Sequence, residues 1–352
     1  MDRITFIIHT YNRPHFLIRL VRYFDSVAAM RGAVVIIADG SSDEDAAPFD
    51  EWLAAHPVGF DLTVRRHPGT TLMERLGLAL ETIDTPYVIL GADDDLYFFD
   101  WIETAVGMMD AEADLGVVFG DFMLFELDGF IPYSDAVRFD MPTLENPPLA
   151  WLEGASAAER LAELGRQRLG LASAGWYALQ RTELLATIVS YGRRFQLEPL
   201  MFERFLVVAQ AASAKTRMLP RLLGARQVDP GLYRAPFQQR GNEARIAALT
   251  EGCAAYLVAE AGFNETDARQ MTQSVLFAEL NLMQTADRKR HLRSFARVVP
   301  FVRTIWRWLK PVTIVDLLRD ERLPPSPDAD DFKSQQAIVE GVIRQQAAET
   351  RP

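Results

Sequence analysis

Cysteine is almost missing from this chain: Cys253 is the only one in 352 residues. No intramolecular disulfide can form, which points to a reducing compartment. Also missing is any run near the ~20 apolar residues that a membrane span requires. The apolar stretch in the opening MDRITFIIHTYNRP is short and begins almost at once, so no secretory leader is expected. There is no G-x-G-x-x-G, which disfavours a dinucleotide fold of the dehydrogenase type. His9, His15, His56, His67 and His291 have no metal-ligand spacing and Cys253 has no partner residue nearby, which argues against a zinc site or a Cys–His nucleophile. Positive charge is scarce as well. Lys and Arg number 37 against 48 Asp and Glu, and a net charge of −11 argues against a general nucleic-acid binder. An acidic body that takes an anionic substrate needs a metal cation or a local cluster of donors to do so.

What is present is an ordinary globular composition, 49% apolar and 24% charged, long enough for one large domain with an appendage or for two domains. No internal repeat or low-complexity tract occurs. The first 130 residues alternate strand and helix signals. ITFIIHT (4–10) reads as a short buried strand, and Pro14 opens a helix through Phe24 with Phe16, Leu17, Leu20, Val21 and Phe24 on one face. AVVIIAD (33–39) is a second strand, stopped by the turn and cap chemistry of GSSDED, and a helix follows through Trp52 and Leu53. DLTVRRH (61–67) is a weaker strand, residues 70–83 a helix, PYVILGA (86–92) a strand, and LGVVFGDFMLFE (115–126) a strand or hairpin. Such alternation with short all-apolar strands implies a parallel sheet covered by helices on both faces. Ligands of such sheets bind at the carboxyl ends of the strands. Thr10, Asp39 and Asp93 each stand just past a strand end, so they are expected to converge on one rim.

The segment YVILGADDDLYF (87–98) carries the strongest signal, because an apolar strand runs straight into Asp93, Asp94 and Asp95. Adjacent carboxylates repel, so three of them at a strand end call for a compensating charge. A divalent cation, Mg²⁺ or Mn²⁺, suits such hard oxygens, with substrate phosphates completing its shell. The alternative is plain helix-start chemistry, where acidic residues are favoured by the dipole. In HTYNRP (9–14), Tyr11 offers a ring for stacking on a base, while Thr10 and Asn12 offer hydrogen bonds; the alternative is a simple strand-to-helix turn. In IIADGSSDED, Asp39 either accepts hydrogen bonds from a base or ribose or caps the following turn.

In order, spacing and context these motifs resemble the glycosyltransferase family 2 type of GT-A enzyme: TYNRP after the first strand, ADGSSD after the second, an Arg-containing ERLGLAL helix, then ADDD after the fourth. The resemblance covers residues 3–130 well and 170–228 loosely. It implies an α/β GT-A sandwich over residues 1–228 with a helical insertion at 142–170. A mostly helical C-terminal region (229–322) and a linker and tail (323–352) follow. It implies that Thr10, Tyr11 and Asn12 are nucleotide contacts, that Asp39 binds the base of a nucleotide-diphospho-sugar, and that Arg75 lies near the nucleotide or diphosphate. Asp93 and Asp95 would be the DxD pair handling ribose and a Mn²⁺ or Mg²⁺ ion, with Asp94 between them. Arg226 or Gln227, in RLLGARQV, would lie near the diphosphate. The general base usually stands at a helix start after the acceptor loop, often as Glu-Asp. Here QLEPLMFE offers Glu198, followed by Pro199 where Asp is usual, with Glu203 as the fallback. The implied reaction is metal-dependent, inverting transfer of one sugar from a nucleotide-diphospho-sugar to a saccharide or lipid-linked acceptor, in a setting such as surface polysaccharide assembly. The Gln-x-x-Arg-Trp of processive members is matched only by TIWRW (304–308), with Thr304 in place of Gln and in another region, so transfer of a single sugar is expected.

Between Arg288 and Lys310 there are eight Lys and Arg and no Asp or Glu. On a helical wheel Phe295, Val298, Val299, Val302, Ile305, Trp306 and Leu309 share one arc, and Arg293, Arg297, Arg303, Arg307 and Lys310 another. That pattern suits peripheral contact of 288–312 with an anionic membrane face, or packing on the catalytic domain, with Pro300 as an interruption. Two other functions compete. A haloacid-dehalogenase-like phosphatase also places Asp-x-Asp after a strand, but it wants Thr or Val where Tyr97 stands. A nucleotide-sugar-binding scaffold without a base is kept open by the sequence LEPL.

Overall fold

The computed structural model describes residues 1–127, 137–140, 152–166, 175–227, 242–276 and 329–350. Four short parallel strands lay down the first half. They are β1 (Ile4–Thr10), β2 (Val34–Asp39), β3 (Asp61–Arg66) and β4 (Tyr87–Ala92). β1 lies between β2 and β4, with Thr10 beside Asp39 and His9 beside Ala92, and β3 pairs outside β2. The spatial order β3-β2-β1-β4 therefore reverses direction between β1 and β4. A crevice opens at the carboxyl ends of the strands at such a reversal. Every residue of β4 is buried, as its unbroken apolar run requires, and each Val, Ile or Leu so buried contributes about 1.5–3 kcal/mol.

Helices return the chain between these strands. α1 (Pro14–Ser26) opens on Pro14, whose missing amide costs nothing in the first turn, and buries Phe16, Leu17, Leu20, Val21 and Phe24. α2 (Asp43–Ala55) is capped by Ser42, whose side chain accepts from the Asp45 amide. α3 (Leu72–Leu80) is shorter than the expected 70–83 because Thr71 and Glu74 form a capping box that fixes its start. α4 (Ile102–Ala111) completes this half.

The second half is a mixed sheet. β6 (Leu115–Leu127) and β9 (Lys215–Gln227) run parallel over their length, with register shifts around Asp121. β9 is one long strand, irregular near Pro220, which has no amide to donate. β8 (Leu179–Arg181) lies antiparallel between β4 and β6, and β7 (Val137–Asp140) pairs antiparallel with β6. The two-residue β5 (Leu96–Tyr97) pairs with β9 at Ala225 and Gly224, a contact no sequence period announces. α5 (Ala157–Arg166) lies within the stretch expected as an insertion. α6 (Thr182–Arg194) and α7 (Pro199–Ser213) cover the sheet, and α8 (Asn242–Ala261) and α9 (265–276) follow. The stretch read as linker and tail includes α10 (Ala329–Thr350). α10 buries Val339 and Ile343 and donates from Gln346 to the His15 carbonyl (3.3 Å) at the start of α1. The basic segment 288–312, TIWRW and His291 lie outside the described residues. No helix among the described residues is long and apolar enough to cross a membrane.

Candidate active site

Three strand ends build the rim. After β1 the chain turns sharply: Asn12 takes a left-handed backbone (φ 55°), which Asn tolerates better than most residues. The turn is tied to the next one by the Asn12 amide donating to Ser41 Oγ (2.8 Å) and the Gly40 amide donating to the Thr10 carbonyl (3.1 Å). Tyr11 projects between them, 59% exposed, among the few large apolar side chains facing water.

Behind Tyr11 sits Asp39, buried at the end of β2. Its Oδ1 accepts from the Ser41 amide (2.8 Å) and its Oδ2 from Arg66 Nε (3.1 Å), while the Arg66 fork also grips Asp50. Arg75, buried on α3, lies across Gly40, where a Cβ would push its guanidinium aside. Arg75 donates to the Thr70 carbonyl (2.6 Å), and its Nε has no partner. Burial lowers its pKa, opposed by the charge of Asp39. Asp39, Arg75, Ser41 and Tyr11 thus form a niche with one acceptor-rich wall, one cationic wall and an exposed ring.

The aspartate cluster occupies the end of β4. Asp93 is fully buried; its Oδ2 accepts from Thr10 Oγ1 (2.5 Å) and its Oδ1 is ion-paired with Arg13. Arg13 also donates to Asp94 Oδ2 (2.8 Å). Asp95, equally buried, accepts from Tyr177 Oη (2.6 Å) on one oxygen and from the Gln227 amide (3.0 Å) on the other. Arg19, wholly buried, donates to the Asp94 carbonyl (2.6 Å) and to Gln227 Oε1 (2.8 Å) and lies against the rings of Phe16 and Phe125. Arg226 stands over Tyr177, 5.2 Å from its ring centre. Burial raises the carboxyl of Asp93, against the pull of Arg13. It also raises that of Asp95, with the charge of Asp94 adding and Arg226 opposing. The three acids are therefore met by a set of guanidinium groups, the cluster of donors that an acidic protein needs.

Hard carboxylate oxygens suit Mn²⁺ or Mg²⁺, and Asp93 Oδ1 is a buried oxygen that accepts no hydrogen bond. The residues fit such an ion in chemistry. Among the described residues no group of three His, Cys, Asp or Glu could hold it unaided. An ion of the Mg²⁺ type is commonly held by one or two carboxylates with phosphates supplying the rest.

Glu198 stands at the N-terminus of α7, half-exposed, without a capping bond, and ion-paired with Arg245 of α8. It belongs to the same end of the sheet through a chain of contacts. His9, next to Thr10, meets Trp176 edge-on (5.3 Å), Trp176 meets Phe202 (5.9 Å), and the Phe202 amide donates to the Glu198 carbonyl (2.8 Å). Glu203 is one turn further along α7 and partly buried. The His9 pKa is lowered to about 4 by burial and by Arg13, so His9 is neutral at physiological pH, donating or accepting at the Gly91 carbonyl (2.7 Å).

The structure brings Thr10, Tyr11, Asn12, Asp39, Arg75, Asp93, Asp94 and Asp95 to one rim. Sequence reasoning missed Arg13, Arg19 and Tyr177. Arg19 was detectable as a charge among the apolar residues of α1, whereas nothing in GWYALQ announces that Tyr177 reaches back to Asp95.

Residues 5–135 match the family described as glycosyl transferase family 2. No curated protein matches the chain by sequence. Among solved structures, S. aureus TarS 1–349 in complex with UDP-GlcNAc is 13% identical, with 99% of this chain and 91% of that one covered at a TM-score of 0.56. This likeness concerns the fold. A mannosyltransferase, PcManGT from Pyrobaculum calidifontis in complex with GDP-Man and Mn²⁺, is 14% identical over 99% of this chain and 88% of that one. Its TM-score is 0.47. The match over residues 5–135 and the order β3-β2-β1-β4 speak against the phosphatase alternative and mark this part of the chain as a glycosyltransferase family 2-like domain of GT-A fold.

Proposed function

We infer that the protein moves one sugar from a nucleotide-diphospho-sugar to a hydroxyl of a saccharide or lipid-linked acceptor, inverting the anomeric centre, in surface polysaccharide or glycan synthesis. The observation that carries this reading is the meeting of Asp39, Arg75 and exposed Tyr11 with the Asp93–Asp95 cluster across the β1/β4 reversal. A base stacks on Tyr11 and donates to Asp39, while Arg75 faces its phosphates or its carbonyl edge. Tyr177, Gln227 and Arg19 hold the cluster in shape, and Arg226 adds positive charge beside Asp95. Asp95 and Asp93 are the residues that would hold Mn²⁺ or Mg²⁺, and such an ion supplies charge neutralisation to the departing nucleoside diphosphate.

A sugar hydroxyl is a poor nucleophile, so a carboxylate must take its proton as attack proceeds. Glu198 is the candidate, with Glu203 as the fallback, and attack from the face opposite the diphosphate gives inversion. The Glu198–Arg245 ion pair favours a second reading, a nucleotide-sugar-binding protein without a base. A thermal-shift and calorimetric panel of UDP-, GDP-, CMP- and dTDP-sugars, with and without Mn²⁺, tests donor binding. Product analysis with saccharide acceptors separates the two readings. No binding by any donor defeats both, and binding without transfer or hydrolysis leaves the scaffold.

A further inference from the structure

Three guanidinium groups, those of Arg13, Arg19 and Arg226, surround the aspartate cluster, and they are not equivalent. Arg19 is sealed in and fixed by a carbonyl, an amide oxygen and two rings. Arg226 is also buried. Arg13 is different. It stands on the β1–α1 turn directly after left-handed Asn12, its side chain is 27% exposed, and its fork spans the carboxylates of Asp93 and Asp94. Asp93 Oδ1 has no hydrogen bond, so this ion pair is its compensation.

We propose that Arg13 is the resident counter-ion of the aspartate cluster and that it must leave Asp93 before a divalent cation can bind, which makes cation and nucleotide diphosphate enter together. The inference rests on the nucleotide-sugar reading for its diphosphate and on the Arg13 contacts for its gate. An Asp93 oxygen engaged by a guanidinium cannot also sit about 2.0–2.2 Å from a metal ion on the same lone pairs. A guanidinium fork matches phosphate as well as carboxylate, so an arriving diphosphate offers Arg13 an alternative partner of higher charge. Moving Arg13 from carboxylate to phosphate frees the cluster at the moment when it is needed. The unliganded protein meanwhile keeps a buried charge cluster paired rather than exposed to its own repulsion. Because coupling between two ligands is reciprocal, the nucleotide should tighten the cation by the same factor as the cation tightens the nucleotide.

The test is Mn²⁺ binding to the full chain, followed by calorimetry and by the electron paramagnetic resonance signal of free Mn²⁺. It is run without nucleotide and with UDP or GDP, corrected for Mn²⁺ held by free nucleotide. The wild-type protein should bind Mn²⁺ alone at least about tenfold more weakly than in the presence of nucleotide. Arg13→Gln should bind Mn²⁺ alone at least about tenfold more tightly than wild type, and the enhancement by nucleotide should shrink. Arg13→Lys, which keeps the charge but cannot span two carboxylates, should fall between them, and it serves as the readout if Arg13→Gln does not fold. The proposal is overturned if folded variants bind Mn²⁺ alone no better than wild type, or if nucleotide does not strengthen Mn²⁺ binding to wild type. If neither UDP nor GDP binds any of the proteins, the nucleotide-sugar reading fails, and the Mn²⁺-alone arm still decides the role of Arg13.

Discussion

Two carboxylate stations in this fold are built on opposite principles. At the end of β4, Asp93 and Asp95 are buried to within 2% of fully and every oxygen meets a protein donor or cation. At the start of α7, Glu198 is 49% exposed and holds one surface ion pair with Arg245. Burial makes the first station rigid and strongly field-sensitive, since an unpaired charge there is costly. Exposure makes the second adjustable on the glutamate's side, while its partner Arg245 is only 13% exposed. A donor site must be shaped before its ligand arrives; a base must meet acceptors that enter from solvent. Under the proposed function, the difference between the two stations matches that division of labour.

The strongest way to break the comparison is at its buried end. Asp95→Asn leaves Tyr177 and the Gln227 amide facing a neutral group, and sugar transfer should fall by about 10³-fold or more in a coupled assay of nucleoside diphosphate release. Activity close to wild type would remove Asp95 from the chemistry. Glu198→Gln comes next: transfer should drop about 10²- to 10⁴-fold while donor affinity by calorimetry stays unchanged, and Glu203→Gln should change little. Should the two effects be reversed, the fallback residue becomes the base. Tyr11→Ala should weaken donor binding about 5- to 100-fold, the loss of one stacked base, with no change in melting temperature. The smallest effect sharpens the contrast from outside the site. Asp121, buried on β6 with no partner among the described residues, has its carboxyl pushed up to about 7 by burial. Its folded pKa lies above its unfolded one, so its protonated form favours the native state. Stability should fall as pH rises from about 4 to 7 and then level off. Asp121→Asn should flatten that slope and raise the melting temperature at pH 8 but not at pH 4; an unchanged slope would show that Asp121 is paired or hydrated after all.

The first four strands and their helices were legible because each pattern there is local. ITFIIHT, VVIIAD and YVILGA are apolar runs whose length alone says buried parallel strand, and Pro14 and the GSSDED stretch mark helix starts by their own side-chain chemistry. The rim residues Thr10, Asp39 and Asp93 followed from topology, since parallel strands bring their carboxyl ends together. The second half was less legible. β9 passes through Pro220, β5 has two residues, and β8 three, so periodicity had little length to act on.

The sequence by itself determined the alternating α/β order, the apolar strands and the acids that end them, because spacing and side-chain type carry those directly. Only the tertiary structure decided how the acids are compensated. Tyr177 and Gln227 reach Asp95 from 82 and 132 residues away, and Arg13 reaches Asp94 from 81. Pairing across such separations depends on which strands become neighbours, and that is settled by the burial of whole faces rather than by any local pattern.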